Sequence, residues 1–139
     1  MEARELKLGN LINKHFEGGE GEQEIVTSRT IFDCQTNPTG KFTYTGIPLS
    51  DQLLQECAFT QLPHFTVQNL WEKSIGRGRV ISIASVGTPN EMVFITESEP
   101  PQVKNVIVVR NYDYDGKTYL HHIQNIYQIF TNSELFPTQ

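Results

Sequence analysis

Three stretches decide how this chain folds: Arg79-Val80-Ile81-Ser82-Ile83-Ala84-Ser85-Val86, Glu91-Met92-Val93-Phe94-Ile95-Thr96-Glu97 and Lys104-Asn105-Val106-Ile107-Val108-Val109-Arg110-Asn111. Each is a short apolar run rich in β-branched residues. They are joined by Gly87-Thr88-Pro89-Asn90 and Ser98-Glu99-Pro100-Pro101-Gln102, which have the composition of turns. Connections this short predict an antiparallel meander. Every strand carries apolar residues of both parities: Ile81 and Ile83 against Val80 and Val86, Met92 and Phe94 against Val93 and Ile95, Val106 and Val108 against Ile107 and Val109. A sheet greasy on both faces needs two covers. One is expected from about Thr118 to Thr131, where Leu120, Ile123, Ile126, Tyr127 and Phe130 recur at the helical period. The other would be the N-terminal strands or a partner subunit.

Outward from this centre, Asn132-Ser133 offers a left-handed stop to the last helix, with Leu135 and Phe136 folding back onto its final turn. Ser50 is placed to cap a short helix from about Ser50 to Ala58, which would pack by Leu53, Leu54, Cys57 and Ala58, with Asp51 at its positive end. Leu6 to Asn13 reads as a strand bent at Gly9, and Glu17 to Glu22 as a mobile acidic glycine loop. Gln23 to Cys34 is expected to pair with Lys41 to Tyr44 across the turn Asn37-Pro38-Thr39-Gly40, and a short strand is expected around Thr66 to Leu70. The expectation is an α+β fold: a single domain, 1–139, mostly antiparallel meander, with two helices (about 50–58 and 118–131), the C-terminal one packed on the sheet.

The chain of 139 residues is 37% hydrophobic, enough for one core. Eleven Lys and Arg against 16 Asp and Glu leave a net charge of −5, which repels phosphate backbones and anionic lipid. The longest aliphatic run, Val106 to Val109, is far short of a membrane span, and the charged start has no leader character. Cys34 and Cys57 have no CxxC spacing and are expected to be reduced, in a cytoplasmic protein.

Motifs for chemistry are incomplete. Asn111-Tyr112-Asp113-Tyr114-Asp115-Gly116 resembles the first half of a calcium loop, but position twelve is His122 where a bidentate Glu is needed, so an Asp-Gly turn is the expectation. His121 and His122, adjacent on a helix, point about 100° apart and do not chelate one metal; His121 is expected on the polar face with Gln124 and Gln128, and His122 at the edge of the apolar stripe. No serine elbow and no Cys-His-Asn set is present, and Gly76-Arg77-Gly78-Arg79 lacks the rest of a phosphate loop. The acid pairs Glu97 with Glu99 and Asp113 with Asp115 fall in turns, where solvated acids are the ordinary finding. The expectation is no catalytic residue, no metal and no cofactor.

Three blocks together carry a resemblance: Glu5-Leu6-Lys7-Leu8-Gly9-Asn10, Ile47-Pro48-Leu49-Ser50-Asp51-Gln52-Leu53-Leu54, and His122-Ile123-Gln124-Asn125-Ile126-Tyr127 followed by Thr131-Asn132-Ser133-Glu134-Leu135. They resemble an uncharacterised small-protein family of Bacteroidetes genomes, phages and mobile elements, which opens E-L-R-I-G-N, continues I-P-L-T-E-E-x-L-L and ends H-x-L-Q-N-L-Y then T-G-E-E-L. The family tends to have glycine where this chain has Asn132, and the segment from Phe59 to Lys104 does not align with it. The resemblance implies a phage or mobile-element setting and no particular activity. For Gln124 and Asn125 the residues themselves favour bonds to nearby backbone over a partner's service.

The function expected is a non-enzymatic protein-binding domain, of the kind an anti-defence inhibitor of a host machine would be, meeting a basic partner through a sheet edge or through Phe16, Trp71, Tyr112 and Tyr114. An alternative is an accessory RNA or DNA contact through Lys73, Arg77 and Arg79 with Trp71, and a small hydrolase stands third.

Overall fold

The structure is a computed structural model that describes residues 6–16, 21–36, 42–63, 69–99, 102–110 and 118–138. Along the chain run β1 (Leu11–Phe16), β2 (Gly21–Ile25), α1 (Ser28–Thr36), β3 (Phe42–Thr45), α2 (Asp51–Glu56), β4 (Thr60–Leu62), β5 (Leu70–Gly76), β6 (Arg79–Ala84), β7 (Met92–Glu99), β8 (Gln102–Arg110) and α3 (Leu120–Thr131). The described residues make an α+β fold with three helices among them, where the sequence reading has two. The strands form two antiparallel sheets, β2-β1-β3 and β4-β5-β6-β7-β8. Contacts cluster in two compact units, Met1–Ile47 with Tyr119–Asn125 and Pro48–Thr118 with Ile126–Gln139, so α3 contributes to both.

In the second unit the expected meander is present as β6, β7 and β8, extended on one side by β5 and β4. The register pairs Trp71 with Ile83 and Lys73 with Ile81, then Ile83 with Val93 and Ile81 with Ile95, so these residues share a face. That face is the core, since Trp71, Ile81, Ile83, Val93 and Ile95 are all buried. The opposite face is not its equal: Ser82 and Ala84 are buried there, but Val80, Met92 and Phe94 are only half-buried. Among the described side chains, the two apolar parities are therefore not equally buried. On the core face, α2 is tied to β5 by Trp71 Nε1 donating to Asp51 Oδ1 at 3.0 Å, and the last half of α3 receives Lys73 over the Tyr127 ring at 5.6 Å.

The expected cap of α2 is in place, with Ser50 Oγ accepting from Leu53 N–H at 3.1 Å. The helix ends earlier than the sequence indicates. Ala58 takes φ 62°, Phe59 N–H reaches Leu54 O at 2.9 Å and Ala58 N–H reaches Gln55 O at 3.0 Å, the paired bonds of a Schellman stop. Asn132 has the expected left-handed conformation, φ 56°, after α3. Leu135 is buried, and the tail beyond it is fastened to α2 by Thr138 N–H donating to Glu56 O at 2.8 Å.

The first unit corrects the N-terminal reading. Gln23 to Cys34 is not one strand: β2 ends at Ile25, and α1 begins after a reciprocal cap in which Thr27 N–H donates to Thr30 Oγ1 at 3.0 Å. Arg29 and Asp33, at 3.1 Å, add an i,i+4 pair. β3 pairs with β1 instead of with that segment, Lys14 lying opposite Tyr44. The first strand also starts later, because Lys7 to Asn10 is a turn with Gly9 at φ 89° and Asn10 N–H on Lys7 O at 3.1 Å, the geometry that glycine supplies in a type II turn. Leu6, Ile12, Val26 and Tyr44 make the core, with Ile31 and Cys34 packed against it.

The beginning of α3 closes this unit. Leu11 N–H donates to Gln124 Oε1 at 2.9 Å, and Asn10 Nδ2 donates to Asn125 Oδ1 at 2.9 Å. Continuing the β1–β3 register would bring Leu11 opposite Ile47, but the Ile47 carbonyl instead accepts from Leu120 N–H at 2.9 Å. The Gln124 amide thus takes over the backbone bond that the departing strand leaves unmade. Gln124 has the backbone-serving role expected for this pair, whereas Asn125 accepts from the side-chain amide of Asn10. His121 departs from expectation: it is buried, as are His122 and Gln124, so the first turns of α3 have no polar outer face. His122 Nδ1 accepts from Tyr119 N–H at 3.0 Å, which fixes that ring at the start of the helix.

Candidate functional site

β2 is an outer strand of its sheet and, among the described residues, pairs with β1 alone. The direction of its backbone groups follows from two bonds. Val26 N–H donates to Asn10 O at 2.7 Å, and Leu11 N–H points away to Gln124. With Leu11 opposite Ile25, this parity makes Ile12 with Glu24 and Lys14 with Glu22 the hydrogen-bonded pairs. Gly21, Gln23 and Ile25 therefore turn their N–H and C=O groups outward. All three are exposed, Ile25 by 53%.

The side chains of this edge sort by face. Gln23 and Ile25 lie on the outer face with Leu11, Asn13 and His15, whereas Glu22 and Glu24 lie on the face of Ile12, Lys14, Phe16 and Tyr44. Lys14 Nζ is 3.8 Å from Glu24 Oε1, 5.2 Å from the Phe16 ring centre and 5.7 Å from that of Tyr44. Burial and then Glu24, through its charge and its hydrogen bond, push the Tyr44 hydroxyl up to about 12. Burial likewise pushes the Cys57 thiol up to about 11, against the lowering by Lys73. At neutral pH both hold their protons, so neither offers a phenolate or thiolate for attack.

Phe16, singled out from sequence, stays at the surface, 41% exposed at the end of β1. Trp71 does not. It is 6% exposed, and its Nε1 is held by Asp51 Oδ1 and by Asn69 Oδ1 at 3.1 Å, so its ring belongs to the core and is withdrawn from the surface set. Tyr112 and Tyr114, with the whole stretch from Asn111 to Gly116, lie outside the described residues.

Lys73, Arg77 and Arg79 are not one basic loop. Lys73 is in β5 over Tyr127, and Arg79 is in β6, 3.7 Å from Glu97 Oε1 and 5.7 Å from the Phe130 ring centre. Arg77 alone of the three is fully on the surface. It sits with Gly78 in a two-residue hairpin turn, both residues at positive φ. Two of the three cations are thus engaged by an aromatic ring, and the base-stacking tryptophan is buried.

The outward edge of β2 was missed by sequence reasoning, which assigned Gly21 and Glu22 to a loop. Its one signal is charge: residues 15–28 contain Glu17, Glu20, Glu22 and Glu24 and no Lys or Arg. Among the described residues no three His, Cys, Asp or Glu side chains gather as metal ligands, and no helix is long and apolar enough to cross a membrane. Comparison with protein-family models, with curated proteins and with solved structures returned no match.

Proposed function

We propose that this protein is a non-catalytic binding domain that holds a basic protein partner by strand addition at β2. The observation that carries the proposal is the exposed outer strand with three residues of outward backbone groups inside an acidic stretch without Lys or Arg. An open edge is a ready template for another chain, and an acidic stretch favours a cationic one. The resemblance to a phage and mobile-element family adds a setting, the cytoplasm of a host cell, where an acidic domain would occupy a basic surface of a host machine, as an anti-defence inhibitor does.

The test is purification of the tagged protein from its native host, in parallel with a Gln23→Pro variant whose fold is checked by circular dichroism. A stoichiometric basic protein that is captured by the native sequence and lost from the variant is the expected result. Stoichiometric capture that the variant retains would move the interface elsewhere. The nucleic-acid reading makes a different prediction: affinity for single strands that falls steeply with salt and depends on Arg77.

A further inference from the structure

We infer that the β2 edge selects an extended segment in which two basic residues alternate with uncharged ones, in the order apolar, basic, any, basic. This rests on the strand-addition reading above. A segment added antiparallel places its successive residues opposite Ile25, Glu24, Gln23 and Glu22, since β2 is followed in reverse. Residues directly opposite share a face. The first therefore meets exposed Ile25 on the outer face, next to half-buried Leu11, and gains by being apolar. The second and fourth meet Glu24 and Glu22 on the other face.

Lys14 stands opposite Glu22 and pairs with Glu24, the one ion pair to either acid among the described residues. In sequence, residues 15–28 carry four Glu and no Lys or Arg. An occupant with positive charge on that face is matched, and an acidic one is repelled. The third residue, opposite Gln23, forms the central pair of backbone bonds and is not chosen by charge.

The experiment measures fluorescence anisotropy of labelled peptides with the full chain. The probes are Val-Lys-Thr-Lys-Thr with neutral flanks, a reordered peptide Lys-Lys-Val-Thr-Thr, and the first peptide N-methylated at its third residue. The alternating peptide is expected to bind at least about threefold more tightly than the reordered one, from the loss of one or two cross-strand matches. N-methylation and Gln23→Pro are each expected to weaken binding roughly tenfold, because each removes a bond of the central pair. N-methylation needs no change to the protein, so it decides the matter if Gln23→Pro fails to fold. Equal binding of the two peptide orders, with the first still sensitive to N-methylation, would overturn the alternating code and leave strand addition standing. Binding that ignores both N-methylation and Gln23→Pro would overturn both. Absence of binding by every peptide would overturn the code, while partner capture by the native protein judges the edge separately.

Discussion

At the scale of single residues, one amide and one phenol test how the first unit is held. Gln124 is buried and its Oε1 satisfies the Leu11 N–H that begins β1. Gln124→Met, close in shape but without the acceptor, should cost about 1–3 kcal/mol in urea unfolding, the usual penalty for an abandoned buried donor. A loss near zero would show that water reaches Leu11. Tyr44 gives a pH signature. Its hydroxyl ionises near 10.0 when unfolded and at about 12 when folded, so the native state binds the proton more tightly. The resulting stabilisation is complete below pH 10 and is lost as pH rises toward 12. The urea midpoint of the native protein should therefore fall more steeply across that window than that of Tyr44→Phe. Parallel curves would contradict the burial and the Glu24 contact assigned here.

Among the elements, the ends of helices are where small energies are visible. Ala58 stops α2 at φ 62°, a conformation that costs a residue with a Cβ about 1 kcal/mol and glycine almost nothing. Ala58→Gly should raise stability by about that amount, and a decrease would mean that the Schellman stop is not formed in solution. Elements with a strong local signal were legible in the sequence: the Val- and Ile-rich strands β6, β7 and β8, the Ser50 cap, the stripe of α3 and the Asn132 stop. The interval from Gln23 to Cys34 was not, because Ile25, Val26, Ile31 and Phe32 have the composition of a strand. What decides against one strand is a Thr27–Thr30 cap and an Arg29–Asp33 pair, each a weak signal until the chain turns there. The candidate edge was hidden for the same reason, since Gly21 and Glu22 look like loop residues until β1 pairs with them. Trp71 illustrates the opposite limit: its chemistry suits a surface contact, and only the Asp51 and Asn69 acceptors show that it is spent inside.

For the whole molecule, the sequence leads to one domain, and the contacts gather in two units that share α3. Each unit draws a stretch of one continuous helix, Leu120–Thr131, so melting either stretch removes a length of the other's helix. Calorimetry should accordingly show one transition with matching van't Hoff and calorimetric enthalpies; two resolved transitions would separate the units thermodynamically. The functional account depends on β2 being a true strand with a free side. Residue-resolved amide hydrogen exchange in the isolated protein tests that claim directly. Glu22, Glu24 and Val26 should be protected by β1, while Gly21, Gln23 and Ile25 exchange fast. Uniform protection of all six amides would mean that the edge is already occupied, and uniform rapid exchange that no strand is there to receive a partner.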